Sequence, residues 1–399
     1  MTTIPRILTD EGRALLASLP AYDPKTAITV GERLRAQGYA ADLVAQAMTQ
    51  QRLREHATTK FGPFAQQMFF TQQSLEQATR LEIAVHHAAR FREAGATHVI
   101  DAGCGIGADS LAFAGLGLRV TAFEIDSYTA AFARANLASF PEATVVCEDA
   151  TTASLPPASA IWLDPARRDS AGHRIKDPSQ WAPPLHSALA LANAQAMAGI
   201  KVAPGIAFRA LPSGAHVQWI SHNGELAEAV IWTGDAAKNP GRSALVIRSG
   251  KTHQLDAHSG QPHEPSVRVP PAALGPYLYE PDPAVIRAGG IAAICETHSL
   301  APISQDIAYL SGAEVTSPYL AKFEVFDVVP LTVKAMKSAI RNADITRLEI
   351  KKRGTDREPQ QLRHQLGLSS KNAGQGSEAT LVLSPVMGKH TAILARRIG

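Results

Sequence analysis

The chain has 399 residues, 45% of them apolar, and a formal net charge of +3 at pH 7. This length allows two or three domains with a substantial core, and this charge is too small to indicate a polyanionic partner by itself. No uninterrupted apolar stretch is long enough to cross a bilayer, and Met1 to Arg6 lack the apolar part of a secretion signal. We therefore expect a cytoplasmic protein that does not enter a membrane.

The first 60 residues are predicted to be helical, with helices over Glu11 to Leu19, Ile28 to Ala36 and Ala41 to roughly Ala57. A further helix is predicted to begin near Ser74 and to run to Arg92, because Ser74 and Gln77 have the spacing of a capping box.

From Thr97 the pattern alternates between strand and helix, which predicts a parallel sheet with helices on both faces. Strands are expected near residues 98, 119, 144, 161 and 200–203, and helices at 108–115, 127–138 and 184–197. A hairpin-like strand pair is expected around Asn223-Gly224, at 217–221 and 228–233. The predicted class is an α/β, Rossmann-like sheet.

After Gly234 the sequence predicts one strand at 243–248, a polar loop at 250–271, and then a small α+β domain. That domain is expected to contain a helix at 283–295, strands at 323–329 and 347–350, helices at 331–343 and 359–366, and a terminal strand pair at 379–383 and 391–396. The predicted domains are 1–60, a helical region; 61–236, the Rossmann-like domain; 237–275, an extension and linker; and 276–399, the α+β domain.

The first predicted strand leads into Asp101 and then into three alternate glycines, Gly103, Gly105 and Gly107. Glycine allows a sharp turn and a close approach of the main chain to a ligand, and the following helix presents free N–H groups. The pattern indicates a nucleotide-binding turn. By itself it also satisfies the G-x-G-x-x-A pattern of dinucleotide enzymes.

The next three predicted strands also end in acids: Glu124 after the second, Glu148-Asp149-Ala150 after the third, and Asp164-Pro165 after the fourth. Glu124 has the spacing of a carboxylate that accepts the ribose hydroxyls of a nucleotide. This residue therefore does not distinguish dinucleotide enzymes from other nucleotide-binding enzymes. Asp-Pro after the fourth strand has no known role in a nicotinamide-dependent enzyme, so this motif argues against that class. A purely structural sheet does not explain acids at successive strand ends.

These motifs resemble those of the class I S-adenosylmethionine-dependent methyltransferases, in order and spacing, through about residue 170. The resemblance implies S-adenosylmethionine as cofactor. It also implies that Asp101, Gly103, Gly105 and Gly107 surround its amino-acid moiety, that Glu124 binds the ribose and that Asp149-Ala150 contacts the adenine. Asp164 and Pro165 then belong to the active site.

In this family an Asp or Asn followed by Pro-Pro and an aromatic residue serves methylation of base amines. Here Ala166 and Arg167 replace the second proline and the aromatic residue. Arg167 is a candidate for stacking on a base or binding a phosphate, and an ion pair of Arg167 and Arg168 with Asp164 or Asp169 is an equal alternative.

The segment Phe70-Thr71 and the helix with Glu76-Gln77 are similar to the helix that precedes the first strand in trimethylguanosine-synthase-like methyltransferases. The resemblance makes Thr71 and Gln77 candidate cofactor contacts. Simple helix capping is the alternative for both residues.

The substrate is indicated by the C-terminal part. The segment from Lys334 to Arg363 contains nine basic and four acidic residues, and its densest basic group is Lys351, Lys352 and Arg353. Such a segment is typical of a phosphate-binding surface, and a solvated charged face is the alternative. The whole chain resembles a bacterial methyltransferase family with a C-terminal THUMP-like domain, in which the segments Pro276-Tyr-Leu-Tyr-Glu-Pro-Asp-Pro and Lys351-Lys-Arg-Gly recur. This resemblance implies an RNA partner by analogy.

We expect no metal site, because His253, His258 and His263 have no cysteine or carboxylate partners in the sequence pattern, and the three cysteines form no C-x-x-C pair. The sequence thus predicts a methyltransferase that modifies a base nitrogen of structured RNA. Two alternatives stay open: a methyltransferase of a small molecule or protein, and an RNA-binding protein that has lost catalysis.

Overall fold

The computed structural model describes residues 4–167, 173–367 and 377–398. The chain divides into two compact units, one of residues 1–203 with 230–238 and the other of residues 204–229 with 239–399. The predicted domain limits stay predictions.

The first unit begins with five helices, among which the predicted N-terminal helices are confirmed: α1 Asp10–Ser18, α2 Ala27–Ala36, α3 Ala41–Phe61, α4 Gln72–Gln77 and α5 Leu81–Glu93. The single helix expected over 74–92 is wrong, because the chain is extended at Ala78 and Arg80 between α4 and α5. The capping box is formed by Thr71 and Ser74, not by Ser74 and Gln77.

The strands and helices of the Rossmann-like part follow in the predicted order: β1 His98–Ala102, α6 Ala108–Gly115, β2 Arg119–Phe123, α7 Ser127–Leu137, β3 Ala143–Val146, β4 Ala160–Leu163, α8 Leu185–Asn193 and β5 Met197–Val202. These strands are parallel in the order β3-β2-β1-β4-β5, with Val99 of β1 opposite Val120 and Ala160. All residues of β1, β4 and β5 are buried, as expected for a sheet covered on both faces. The carboxyl ends of the strands therefore meet at one edge.

The N-terminal helices share their core with the glycine-rich turn and the helices that follow it. The apolar residues of α1 and α3 belong to one buried cluster with Ile106, Ala108 and Phe132. The side chain of Asn136 joins the same parts by polar contacts, since its Nδ2 donates to the main-chain oxygens of Phe69 (3.0 Å) and Ile106 (2.9 Å).

Four strands of the second unit are neighbours in the order β7-β6-β8-β9. They are β6 His216–His222, β7 Glu225–Gly234, of which only the residues up to Ala229 belong to this unit, β8 Gly241–Arg248 and β9 Lys251–Ser259. The expected turn between β6 and β7 is confirmed, because Asn223 (φ 49°) and Gly224 (φ 84°) both adopt the left-handed conformation of a type I′ turn. The polar loop expected over 250–271 is wrong in its first part: β9 pairs antiparallel with β8.

The remainder of the second unit forms a seven-stranded sheet with helices. Its elements are β10 Tyr277–Pro281, α9 Pro283–Ala288, α10 Ile291–His298, β11 Ala301–Pro302, β12 Leu310–Gly312, β13 Leu320–Pro330, α11 Val333–Asn342, β14 Ile345–Lys352, α12 Pro359–Leu366, β15 Ser377–Val386 and β16 Lys389–Ile398. The order is β11-β12-β10-β13-β16-β15-β14, in which β14 and β15 are parallel. The helix predicted over 283–295 is broken at Gly289, whose φ of 77° ends α9.

Candidate active site

The glycine-rich turn connects β1 to α6 and is fixed to the end of β2. The main-chain N–H groups of Gly103 and Cys104 donate to the Phe123 oxygen at 3.0 and 2.9 Å. Gly105 has a φ of 57°, and a Cβ added there would meet no atom within 4 Å. The turn therefore borders open space at Gly105, and its backbone conformation is one that glycine adopts without strain.

Glu124 lies against this turn. Its Oε2 accepts a hydrogen bond from the Gly105 N–H (3.0 Å), and its Oε1 accepts one from the Asp126 N–H (2.8 Å). Partial burial raises the pKa of Glu124, and these two hydrogen bonds oppose the rise. The carboxylate is thus fixed beside the glycine turn, and its role as a ribose-binding residue stays a prediction.

The third strand end contributes Asp149 and Ala150. The Asp149 Oδ1 accepts hydrogen bonds from the N–H (2.9 Å) and the hydroxyl (2.7 Å) of Thr151, so the side chain is ordered within its own turn. Asp149 is half-buried and Ala150 is buried.

Asp101, at the end of β1, is buried and accepts a short hydrogen bond of 2.5 Å from the Ser110 hydroxyl. Burial, followed by the nearby Asp109 carboxylate, raises the pKa of Asp101 to about 8. Asp101 thus holds the first turn of α6 against β1 through Ser110.

The fourth strand ends at Asp164, which lies next to the glycine turn: a Cβ on Gly103 would be 3.8 Å from the Asp164 main-chain oxygen. The Asp164 Oδ2 forms an ion pair of 2.5 Å with the Nζ of Lys201 from β5. Burial raises the pKa of Asp164, and Lys201 opposes the rise. The predicted active-site acid and the glycine-rich turn are therefore neighbours.

The residues after Asp164 are held by the segment that follows them. Pro165 is buried, and Ala166 forms an antiparallel bridge with Ala182, with N–H to oxygen distances of 2.7 and 3.0 Å. The Nη1 of Arg167 is buried and has no hydrogen-bond partner among the described residues. The ion pairs considered for Arg168 and Asp169 lie outside the described residues.

Thr71 and Gln77 occupy the two ends of α4. Thr71 caps the helix, because its hydroxyl accepts from the Ser74 N–H (3.0 Å) and its own N–H donates to the Ser74 hydroxyl (3.0 Å). Gln77 is exposed at the last position of α4. The structure accounts for Thr71 as a cap, and a cofactor contact from either residue stays a prediction.

The basic triplet of β14 and its turn is ion-paired within the second unit. Lys351 and Arg353 share Glu280 of β10 at 2.8 and 3.3 Å, and Lys352 pairs with Glu358 at 2.5 Å. An RNA-binding role for the triplet stays a prediction, and these pairs lower the positive charge available for it.

Sequence reasoning missed a buried polar network beneath Asp164, formed by Lys201, Thr79, Asp109 and His87. Its signals were present. Lys201 is the charged residue of a strand that is otherwise apolar, and Asp109 follows the glycine turn directly.

Two absences concern only the part of the chain that the structure describes. Within residues 4–167, 173–367 and 377–398, no three His, Cys, Asp or Glu side chains are grouped so that they could hold a metal ion. Within those same ranges, no helix has the length and apolar character needed to span a bilayer.

Comparison with known proteins agrees with this arrangement. Residues 100–160 match a methyltransferase domain family, residues 320–397 a THUMP domain-like family and residues 1–57 a domain family of unknown function. The chain is 32% identical over 325 residues to an uncharacterized S-adenosylmethionine-dependent methyltransferase of Mycobacterium tuberculosis, in both strain CDC 1551 and strain H37Rv. These matches cover 79% of this chain and 87% of each relative.

The fold is similar to that of the "putative methyltransferase from Porphyromonas gingivalis W83", with a TM-score of 0.73, 17% identity, and coverage of 95% of this chain and 100% of that one. The class that fold and site define is that of the Rossmann-like methyltransferases. The chain belongs to the family of S-adenosylmethionine-dependent methyltransferases with a C-terminal THUMP-like domain. The predicted enzyme class, fold class and cofactor are confirmed.

Proposed function

We propose that the protein transfers a methyl group from S-adenosylmethionine to a base nitrogen of structured RNA. The observation that carries the proposal is the position of Asp164-Pro165, which ends β4 beside the glycine turn. When bound, S-adenosylmethionine supplies a methyl group on a positively charged sulfur.

The residues at the strand ends fit this cofactor. The open space at Gly105 and the fixed carboxylate of Glu124 suit a ligand with a ribose at this edge. Gly103, Gly105 and Gly107 would allow close main-chain approach, Glu124 would accept the ribose hydroxyls, and Asp149 with Ala150 would contact the adenine. Asp101 would act through the turn it supports, and Thr71 and Gln77 are further candidates.

Methyl transfer from a sulfonium needs alignment and exclusion of water more than acid–base catalysis. In this proposal the Asp164 carboxylate accepts a hydrogen bond from the N–H of the acceptor base and so directs the nitrogen lone pair. Arg167 stands where related enzymes have an aromatic residue, and its guanidinium is suited to stack on a base or bind its phosphate.

The RNA substrate is supported by the THUMP domain-like match and by the charges of α11. Lys334, Lys337 and Arg341 are exposed on one face of this helix, which carries no acid, while Met336, Ala339 and Ile340 are buried on the other. No ion pair involves these three cations among the described residues. We propose α11 as the principal phosphate contact, with the ion-paired Lys351, Lys352 and Arg353 contributing less.

The test is transfer of a labelled methyl group from S-adenosylmethionine to total RNA isolated from a strain that lacks the gene. Saturable incorporation into RNA is expected, and it contradicts the inert RNA-binding alternative. Labelling of small molecules or protein with none in RNA contradicts the proposal and favours the other alternative.

Two triple variants with the same change in charge locate the RNA surface. Neutralising Lys334, Lys337 and Arg341 to Gln is expected to lower RNA affinity and reduce the slope of log affinity against log salt by about 2 to 3. Neutralising Lys351, Lys352 and Arg353 to Gln is expected to change the slope by less than about 1. The reverse order contradicts α11 as the main contact.

A further inference from the structure

Lys201 is a buried cation within the sheet, directly below the candidate active site. The residue is 3% exposed, and all of β5 is buried around it. A lysine is kept charged in such a place only when partners compensate the loss of hydration. Its contacts therefore indicate what it does.

Its first partner is the active-site acid. The Lys201 Nζ lies 2.5 Å from the Asp164 Oδ2 and also donates to the Thr79 hydroxyl at 3.0 Å. The Oδ1 of Asp164 accepts no hydrogen bond from any residue in the described ranges. One carboxylate oxygen is thus held from inside the protein, and the other has no protein donor among the described residues.

The second partner connects Lys201 to a rigid interior. Thr79 lies in the break between α4 and α5, and its hydroxyl donates to the Asp109 Oδ2 at 2.9 Å. The Asp109 Oδ1 lies 2.9 Å from the Nδ1 of His87, whose ring stacks on Trp162 of β4 with centroids 4.3 Å apart. The Nζ position is therefore fixed by two helices and the sheet, not by Asp164 alone.

The groups around Asp164 have opposite effects on the ionisation of its carboxyl. Lys201 and Arg167 favour its ionised form, and burial with Asp109 disfavours it. Asp101 of β1 is a further carboxyl coupled to Asp164. Lys201 is the only cation of this group in hydrogen-bonding contact with Asp164 among the described residues.

We propose that Lys201 is a positioning residue that holds the Oδ2 of Asp164 and keeps the carboxylate ionised, so that Oδ1 meets the N–H of the methyl acceptor. The inference rests on the proposed function, since it takes Asp164 as the residue that orients the acceptor. Lys201 itself touches neither acceptor nor cofactor in this role.

The first test compares Lys201→Met with the matched control Lys238→Met, which removes an exposed lysine that pairs with Glu93 at 3.1 Å. Methyl transfer to RNA is measured from pH 5 to 9, and cofactor affinity by calorimetry. For Lys201→Met we expect kcat at pH 7 to fall at least about tenfold with cofactor affinity kept within about threefold. Because an opposite charge lowers an Asp pKa by about 1 to 3, the acidic limb should move up by that amount.

The control is expected to keep the wild-type kcat and acidic limb. A Lys201→Met enzyme with an unmoved limb overturns the inference, even when its kcat is low, because a general loss of structure lowers kcat without shifting the limb.

The second test needs no substrate and uses the thermal midpoint of the full chain. Lys201→Met leaves the Asp164 carboxyl without its counter-charge, so adding Asp164→Asn in the same chain is expected to recover at least half of the lost midpoint. No recovery contradicts the coupling. If neither variant folds, Lys201→Arg, which keeps the charge, is expected to retain the wild-type limb, and a moved limb contradicts the inference.

The two proposals fail in different ways. A wild-type enzyme that labels no RNA contradicts the proposed function and leaves the coupling in the thermal midpoint intact. A wild-type enzyme that labels RNA, together with a Lys201→Met variant of unchanged limb, contradicts only the role of Lys201.

Discussion

The acidic strand ends of the first unit and the basic strand β14 of the second unit carry equally visible charge in the sequence, but the structure treats them differently. At the strand ends Glu124 and Asp164 lie beside the glycine turn, where Glu124 accepts only main-chain hydrogen bonds among the described residues and Asp164 pairs with Lys201. At the end of β14, Lys351 and the following Arg353 are paired with a glutamate more than seventy residues earlier. The difference teaches that topology, more than charge density, decides which charges remain for a ligand.

The largest expected effect concerns the glycine turn at the strand ends of the first unit. Gly105→Val forces a β-branched residue into a φ of 57° and fills the open side of the turn. We expect cofactor affinity to fall about 100-fold, about 2.7 kcal/mol, because the added side chain fills space beside the turn that the bound cofactor would need. The strained backbone separately lowers the stability of the fold by about 1–3 kcal/mol. Calorimetry with S-adenosylmethionine measures it. Gly115→Ala, in α6 with free space around it, should bind normally; an equal loss in both variants contradicts the role of the turn.

A second effect concerns the buried acid at the first strand end. The folded pKa of Asp101, about 8, lies above its unfolded value, so the native state binds the extra proton between about pH 4 and pH 8. The resulting stability is present at low pH and is lost as the pH rises through 8. Asp101→Asn, which stays neutral, should therefore gain several degrees in thermal midpoint relative to wild type between pH 5 and pH 9. A constant difference contradicts the raised pKa.

The third prediction addresses the paired cations. Glu280→Gln leaves Lys351 and Arg353, which are 23% and 30% exposed, without their shared carboxylate. We expect a loss of about 2 kcal/mol in the free energy of unfolding, as for a hydrogen-bonded, partly buried charge. Denaturant unfolding measures it, with Glu378→Gln as control, because its partner Arg347 is 64% exposed. A loss no greater than that of the control would mean that Glu280 does not hold the triplet.

The smallest expected effect concerns the exposed ion pair of the basic triplet. Lys352 and Glu358 form a pair at the surface, with side chains 33% and 60% exposed. Glu358→Gln is therefore expected to change the free energy of unfolding by less than about 1 kcal/mol, because solvent and salt screen such pairs. A change as large as that of Glu280→Gln would contradict the distinction between the two glutamates.

The sequence predicted what depends on the order of elements. Parallel strands place their ends together, so Glu124 and Asp164 could be assigned to one edge from spacing alone. The break before α5 could not be predicted, because Ala78-Thr79-Arg80 contains neither glycine nor proline. The strand β9 was missed for a similar reason: it has little apolar alternation, and β8 holds it through main-chain pairing.

Side-chain partners far apart in the chain were also beyond the sequence. Lys201 and Thr79 are separated by more than a hundred residues, and only the folded sheet brings them to Asp164. The same applies to Glu280 and β14. A lone lysine in an apolar strand and a segment with a surplus of basic residues were both visible in the sequence, but neither pattern indicates which carboxylate the cation pairs with.

The amide of Asn136 has a consequence for the modularity of this enzyme. This amide donates hydrogen bonds to the main chain at Phe69 and at Ile106 of the glycine-rich turn. The helices that precede Phe69 in the chain pack on the same apolar cluster. The family match over residues 1–57 therefore covers helices that share a core with the glycine-rich turn and the helices after it. Removing these helices is expected to expose Phe132 and its apolar neighbours to solvent, so a fragment without them should be less stable than the full chain.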